Sequence, residues 1–385
     1  MSKKILFCAT VDYHFKAFHL PIMKWFKEQG WEVHVAASGE IQLPFTDQKF
    51  NIPIQRTPFS PKNLDAYTQM KTIIEQNHYS IIHCHTPLGG VLTRLAAKRT
   101  RDERDSKVIY TAHGFHFCKG SPFLNWLIYY LIEKYLASYT DTLITINVED
   151  YQLATLHKFK ATQIKHVHGV GVDINKFKPI DERQKKALRF KLGIPQEEFL
   201  LFYAAEFNKN KNQQLLIKVI NRLKDELPLA RLLLAGEGAM LTECKKLAST
   251  LQVADRVHFL GFRKDIDDLL QASDVAVGSS FREGLPVNIM EAMACGLPVI
   301  ATKNRGHKEL IKNGKNGWVI EQNDIEKFAG KILYLSNNKE VLKILGMNGR
   351  QDIAQQYSTS KVVAEKSAIY RQYMNDKEER QWMNQ

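Results

Sequence analysis

The stretch Ser279–Thr302, SSFREGLPVNIMEAMACGLPVIAT, decides how the rest of the chain is read. It follows a short apolar run at Val275–Val277. It then passes through a Gly-Leu-Pro turn, a helical pattern and a second apolar run at Val299–Ala301 without slack, the pattern of a parallel βαβ unit. Glu283 stands before the turn and Glu291 on the helix. Between them the backbone of Gly284, Leu285, Pro286, Val287 and Asn288 forms a helix N-terminus, where orphan N–H donors and the helix dipole favour phosphate oxygens. A carboxylate at each end suits sugar hydroxyls and an anion nest suits a diphosphate, so the stretch fits a sugar nucleotide.

The same alternation runs outward in both directions. Strand-like runs are expected at Lys4–Val11, Trp31–Ala37, Tyr79–His83, Val108–Ala112, Thr142–Ile146 and Lys165–Val167, with helical patterns between them. Gly169–Ile194 has no strand pattern and reads as a connection, with a boundary near Gly171–Val172. Further strands are expected at Phe199–Ala205, Arg231–Ala235, Val257–Leu260, Val275–Val277 and Val299–Ala301, and the chain after Trp318–Ile320 is helical almost to its end. The expected fold class is α/β, with two doubly wound parallel-sheet domains at residues 1–171 and 172–359. A final helix at about 360–385, carrying Tyr370, Tyr373 and Trp382, returns to the first domain. Ligands of such sheets bind at the carboxyl ends of the strands, here in a cleft between the domains.

Composition sets the bounds. With 385 residues, 44% hydrophobic and 25% charged, disordered, collagen-like and disulfide-scaffold classes are excluded. A net charge of +13 points to something anionic nearby: a phosphate-bearing substrate, an anionic membrane or nucleic acid. Five scattered cysteines without a CxxC pair predict a reducing compartment and a cytoplasmic location. The apolar start Ile5–Val11 is too short for an export signal. The longest apolar window, around Phe123–Ile132, contains Asn125 and is closed by Glu133 and Lys134, so no membrane span is expected.

The E-x7-E pattern of EGLP…EAMACGLPVIAT resembles the signature of family 4 glycosyltransferases of the GT-B fold. Supporting segments lie at Ile81–Gly90, Tyr110–Phe117, Gly169–Pro179, Leu232–Gly238 and Val257–Val275, and within the family the chain is most similar to exopolysaccharide and capsule transferases. The resemblance implies a UDP-sugar donor, a lipid-linked saccharide acceptor, retention of anomeric configuration and no resident cofactor. It also implies residue roles. Glu283 holds hydroxyls of the donor hexose, Glu291 holds the ribose, the Gly284–Asn288 amides meet phosphate or sugar, and the Gly261–Phe262–Arg263 turn takes the base. His113 stands beside the donor sugar and the reacting centre. In AAEFNKNKNQ (Ala204–Gln213), Lys211 matches the family lysine that balances the departing diphosphate. Glu206 occupies the position where relatives often carry arginine, leaving Lys209 or Arg282 as the second cation.

Other features have simpler readings. Asp265–Asp268 contains DxD, but it follows a turn and opens a helix, so Asp265 reads as an N-cap and no essential metal is expected. Gly236–Glu237–Gly238 lacks the third glycine of a dinucleotide fingerprint. His83, His85, His166 and His168 read as packing or surface residues, because no carboxylate or cysteine cluster completes a ligand set around His83 and His85. Tyr13–His14 stands where relatives carry Gly-Gly, with Lys16 as a weak phosphate contact. Ser121–Tyr139, with Lys119 and Lys134, is either a core stripe or an interfacial helix on an anionic membrane. The basic cluster Arg94, Lys98, Arg99, Arg101, Arg104 and Lys107 reads as a solvated face that adds to such attraction. Two competing functions remain: a UDP-N-acetylglucosamine 2-epimerase, and a nucleic-acid-binding module, which the lack of any recognised nucleic-acid motif disfavours.

Overall fold

A computed structural model describes residues 3–118 and 120–383, with side chains described through Met374. Lys119 and the side chain of Trp382 lie outside the described residues. The chain divides into two compact units, Met1–Gly171 with Thr359–Gln385, and Val172–Ser358.

The first unit is built on seven parallel strands: β1 (Lys4–Val11), β2 (Glu32–Ser38), β3 (Gln48–Asn51), β4 (Ile81–His85), β5 (Lys107–Ala112), β6 (Thr142–Thr145) and β7 (Gln163–His166). Their order is β3-β2-β1-β4-β5-β6-β7. β1 is buried without a break from Ile5 to Thr10, as a central strand covered on both faces must be. The second unit has six strands: β8 (Phe199–Ala204), β9 (Ala230–Ala235), β10 (Val257–Gly261), β11 (Val275–Gly278), β12 (Val299–Thr302) and β13 (Gly317–Ile320), in the order β10-β9-β8-β11-β12-β13. All neighbours are parallel. In each sheet the order reverses at one place, between β1 and β4 and between β8 and β11, the position at which open α/β sheets leave a crevice for ligands.

Each sheet carries one strand more than the sequence pattern predicts. β3, QKFN, is an edge strand with no β-branched residue, so neither alternation nor an apolar run marks it. β13 is also an edge strand, with β12 as its neighbour in the sheet. The stretch expected to be a connection holds a helix, Glu182–Lys191, started by a capping box of Asp181 and Gln184. Its Arg189 is buried against the carbonyls of Ala272 and Glu198 and the carboxylate of Asp274, which makes the helix an integral part of the second unit.

The last helix, Thr359–Met383, packs on the first unit. Tyr370 is fully buried between Trp25 and Phe26, and its hydroxyl bonds to His83 Nδ1 at 2.6 Å. Tyr373 OH bonds to Thr142 Oγ1, and Glu365 receives both the backbone N–H and the ring of His168.

The basic cluster is a solvated face at Lys98, Arg99 and Arg104 but not at Arg94. Arg94 is fully buried, bonded to Glu133 Oε2 at 2.9 Å and stacked 3.9 Å over the Tyr110 ring. Arg99 pairs with Glu103, Arg101 with Asp141 and Lys107 with Asp105. Spacing marks the Arg99–Glu103 pair at i, i+4, but not the partners of Arg94 and Arg101, which come from other elements. The Ser121–Tyr139 stripe splits by face. Trp126 and Tyr130 pack on the core, whereas Phe123, Leu124, Leu127, Leu131 and Tyr135 are each more than half exposed.

Candidate active site

In the second unit, the loops after β8 and β11 meet at the point where the strand order reverses. Asn210 ties them together. Its carbonyl accepts the Phe281 N–H at 2.8 Å, its Oδ1 accepts from the Arg282 N–H, and its Nδ2 donates to the Arg282 carbonyl. Ser279 Oγ donates to the Lys211 carbonyl at 2.7 Å. These bonds bring Lys211 Nζ to 2.5 Å from Glu283 Oε1, both side chains being largely withdrawn from water. Residues 72 positions apart are thereby joined in one ion pair.

The helix Val287–Ala294 begins beside this pair, and no side chain caps it. Pro286, at the N-cap, has no N–H, so the amides offered by this turn are those of Gly284, Leu285, Val287 and Asn288. The Asn288 side chain donates to the Ala204 carbonyl at 2.9 Å and fastens the turn to the end of β8.

A third loop, after β12, closes against the same turn. Arg305 Nε donates to the Glu283 carbonyl at 3.1 Å. At Gly306 an added Cβ would lie 2.9 Å from Glu283 Cβ, the Gly284 carbonyl oxygen and Pro286 Cδ, so only glycine permits this approach. Asn304 caps the helix Arg305–Leu310 by accepting the His307 N–H. Arg305 and Gly306 were not singled out in the sequence, since a lone Arg-Gly has no spacing signature. Of the two cations expected in place of the family arginine, Lys209 is exposed and Arg282 is exposed, whereas Arg305 is partly withdrawn and touches Glu283. Glu206 is exposed and accepts a bond from Asn208.

The Gly261–Phe262–Arg263 turn lies at the end of β10. Gly261 has φ +64 and its carbonyl accepts the Gly236 N–H at 2.7 Å, while Phe262 is 62% exposed. Asp265 occupies the N-cap position of Ile266–Ala272, but its carboxylate accepts no N–H of that helix. Arg263 holds it instead, through Nε at 2.8 Å, and keeps its carboxyl below the usual range. Asp267 and Asp268 face Lys176 and Lys191. At Gly238 a Cβ would stand 2.4 Å from the Phe207 carbonyl oxygen, so this glycine serves the packing of two strand ends.

Glu291 sits on the helix Val287–Ala294, and burial pushes its carboxyl up to about 7, with Lys176 opposing and Asp267 reinforcing the shift. The unfolded chain binds that proton only below about 4.5. Stability from this group is therefore fully present below about 4.5 and is lost as pH rises through about 7. Glu291→Gln is expected to match the wild type at pH 4.5 and to exceed it by about 3 kcal/mol at pH 8, read by chemical unfolding at both values. Equal stability at pH 8 would contradict the burial assigned to this carboxyl.

In the first unit, His113 follows β5. Its Nε2 lies 3.3 Å from His85 Nδ1, and its ring meets that of His14 edge to face at 4.7 Å. Burial drives its basicity well down, so the ring is neutral. His83 is buried and bonded on both nitrogens, to Tyr370 and Thr111. His14 lies in the helix Tyr13–Phe18, and Lys16 is exposed.

Two family models match the chain: "Glycosyl transferase 4-like" over residues 4–147 and "Glycosyl transferases group 1" over residues 184–352. The chain is 51% identical over 375 residues to the Bacillus subtilis (strain 168) protein named "Putative glycosyltransferase EpsD", covering 97% of this chain and 98% of that protein. It is 28% identical over 312 residues to the Escherichia coli UDP-Gal:alpha-D-GlcNAc-diphosphoundecaprenol alpha-1,3-galactosyltransferase, covering 80% and 79%. Among solved structures, Anabaena Alr3699/HepE in complex with UDP and glucose matches with a TM-score of 0.79 at 20% identity, over 96% of this chain and 99% of that one. That likeness shows the GT-B fold. The two parallel sheets, both family matches and the near full-length identity together place the chain in the group 1, family 4-like glycosyltransferases of the GT-B fold.

Proposed function

We propose that this glycosyltransferase moves a hexose or N-acetylhexosamine, with N-acetylglucosamine as the first choice, from a UDP-linked donor to a polyprenyl-diphosphate-linked saccharide in bacterial exopolysaccharide or capsule synthesis. The observation that carries the reading is the Lys211–Glu283 pair beside the uncapped turn Gly284–Asn288. It sets a cation and amide donors for a diphosphate next to a carboxylate for sugar hydroxyls. The 51% identity to the protein named "Putative glycosyltransferase EpsD" supports the transferase reading, and the name of the E. coli relative supports a lipid-diphosphate acceptor.

In this mechanism the bond from the anomeric carbon to the diphosphate oxygen breaks while Lys211 and the amides take up the developing negative charge. The acceptor hydroxyl attacks from the face the diphosphate leaves, a phosphate oxygen takes its proton, and configuration is retained. Glu283 orients the hexose, Glu291 the ribose, and the Gly261–Arg263 turn receives the base. His113, whose Nε2 faces His85 Nδ1 at 3.3 Å, offers its other ring nitrogen, Nδ1, for a hydrogen bond at the sugar. No step needs a metal. No helix among the described residues is long and apolar enough to cross a membrane. We place the protein in the cytoplasm, at the inner membrane face, where the exposed apolar side of Phe123–Leu136 can rest on lipid beside the acceptor.

The test is a panel of UDP-sugars assayed for UDP release with EDTA, with the polyprenyl-diphosphate saccharide in anionic vesicles or in detergent. The expected result is acceptor-dependent, EDTA-resistant release with one sugar, faster on vesicles and slowed there by Leu127→Glu. Conversion of UDP-N-acetylglucosamine without acceptor would turn the reading to the epimerase. Transfer only to a soluble acceptor would remove the lipid-linked part, and equal rates of wild type and Leu127→Glu on vesicles would remove the membrane contact.

A further inference from the structure

We propose that the first unit binds one transition-metal dication, of the zinc class, on His14, His19, His85 and His113. The four rings come from three separate elements: the segment after β1, the end of β4 and the turn after β5. One ring nitrogen of each lies within 4.8 Å of one from every other. Two edges are shorter, with His14 Nε2 to His19 Nε2 at 3.0 Å and His85 Nδ1 to His113 Nε2 at 3.3 Å. Ligands at about 2.0–2.1 Å from zinc in a tetrahedron stand roughly 3.4 Å apart. Two edges therefore already match, and the others, none longer than 4.8 Å, exceed that spacing by at most about 1.4 Å.

His19 Nδ1 and His85 Nε2, the ring nitrogens on the far side from the two short edges, are buried without a hydrogen-bond partner, so no hydrogen bond on that side holds either ring against turning toward an ion. Phe15 packs against His19 and His85, so those rings are held from behind. His14 and His113 are only partly buried, which leaves the approach open from their side. His83 is excluded as a ligand because Tyr370 and Thr111 occupy both its nitrogens. An all-imidazole set selects zinc, copper, nickel or cobalt over magnesium and calcium, which require oxygen. The sequence expectation of no metal looked for carboxylates or cysteines around His83 and His85; the completing ligands are instead other histidines, distant in the chain. Lys366, on the last helix, is buried within electrostatic reach of His14, His19 and His113, and it opposes a dication.

Because the proposed transfer chemistry uses no metal, binding is tested directly on the full chain, independently of activity. The protein is stripped with a chelator, desalted and titrated with zinc, cobalt or magnesium. One equivalent of zinc is expected to bind, cobalt is expected to give the visible bands of tetrahedral coordination that zinc abolishes, and magnesium is expected not to bind. Removing an outer-sphere partner of a metal ligand costs about 10–100-fold in affinity, so His19→Ala, which removes a ligand, should lose about 100-fold or more. Lys366→Met should move the other way and tighten binding roughly tenfold by removing a like charge. That gain cannot come from misfolding. No stoichiometric zinc uptake by the wild type, or wild-type affinity in a His19→Ala protein with unchanged circular dichroism, would overturn the proposal. Weaker zinc binding by Lys366→Met would overturn the tetrahedral cluster as the seat.

Discussion

Lys211→Ala is expected to lower turnover about 10²–10³-fold, the loss typical of removing one charge-stabilising contact from a transition state. The lysine is positioned by its neighbours: its N–H donates to the Asn208 side chain, its carbonyl accepts from Ser279, and its ammonium meets Glu283 at 2.5 Å. If it acts on the leaving diphosphate, the fall appears in kcat and kcat/KM together. Glu283→Ala should cost a similar factor, with more of the effect in donor selectivity, because a carboxylate on the hexose reads its hydroxyls. The double variant should lose far less than the product of the two single losses, since the residues touch and act as a unit. Near-normal turnover of both single variants would remove this pair from the active site. The stability cost of either change is smaller, about 1–3 kcal/mol for a partly withdrawn group left without its partner, and circular dichroism separates the two effects.

The second large effect is structural. Arg94→Ala is expected to destabilise the first unit by about 3–5 kcal/mol, because it leaves Glu133 buried without its counter-charge. Arg94 bonds to the Gly90 carbonyl at 2.9 Å and to Glu133, whose other oxygen accepts the Tyr110 hydroxyl at 3.1 Å. Glu133 lies on Leu131–Leu136, so this network anchors the inner side of the segment whose outer side is apolar and exposed. Arg94→Met with Glu133→Leu removes both charges and should recover most of the loss, since two apolar side chains of similar length replace the pair. Chemical unfolding followed by a probe in the first unit reads the difference. A loss under about 1 kcal/mol for Arg94→Ala would contradict the buried pair.

Much of this was legible before any coordinates. The alternation of apolar runs and amphipathic stretches identified parallel α/β sheets because a strand covered on both faces must be apolar throughout, as β1 is. Edge strands escaped the same logic. β3 is half exposed and polar, and its strand character comes from pairing with β2 rather than from its own side chains. The helix Glu182–Lys191 reads as a connection because it carries no strand pattern and is rich in charge, while its place in the second unit rests on buried Arg189 and on Lys185, both of which hold Asp274.

For the candidate site the division is similar. The dense segment Ser279–Thr302 encodes turn, helix and strand in consecutive residues, so local order places Glu283 before the turn, Glu291 on the helix and the amides between them, while their proposed roles come from the family resemblance. Local order determined the parallel sheets, the family and the turn. Tertiary structure alone decided which groups meet: Lys211 with Glu283, Arg305 and Gly306 against the turn, Arg94 with Glu133, and four histidines in one cluster. Periodicity and spacing record how a segment folds against its own neighbours. Contacts between loops at the carboxyl ends of non-adjacent strands depend on strand order, and no short-range pattern carries that.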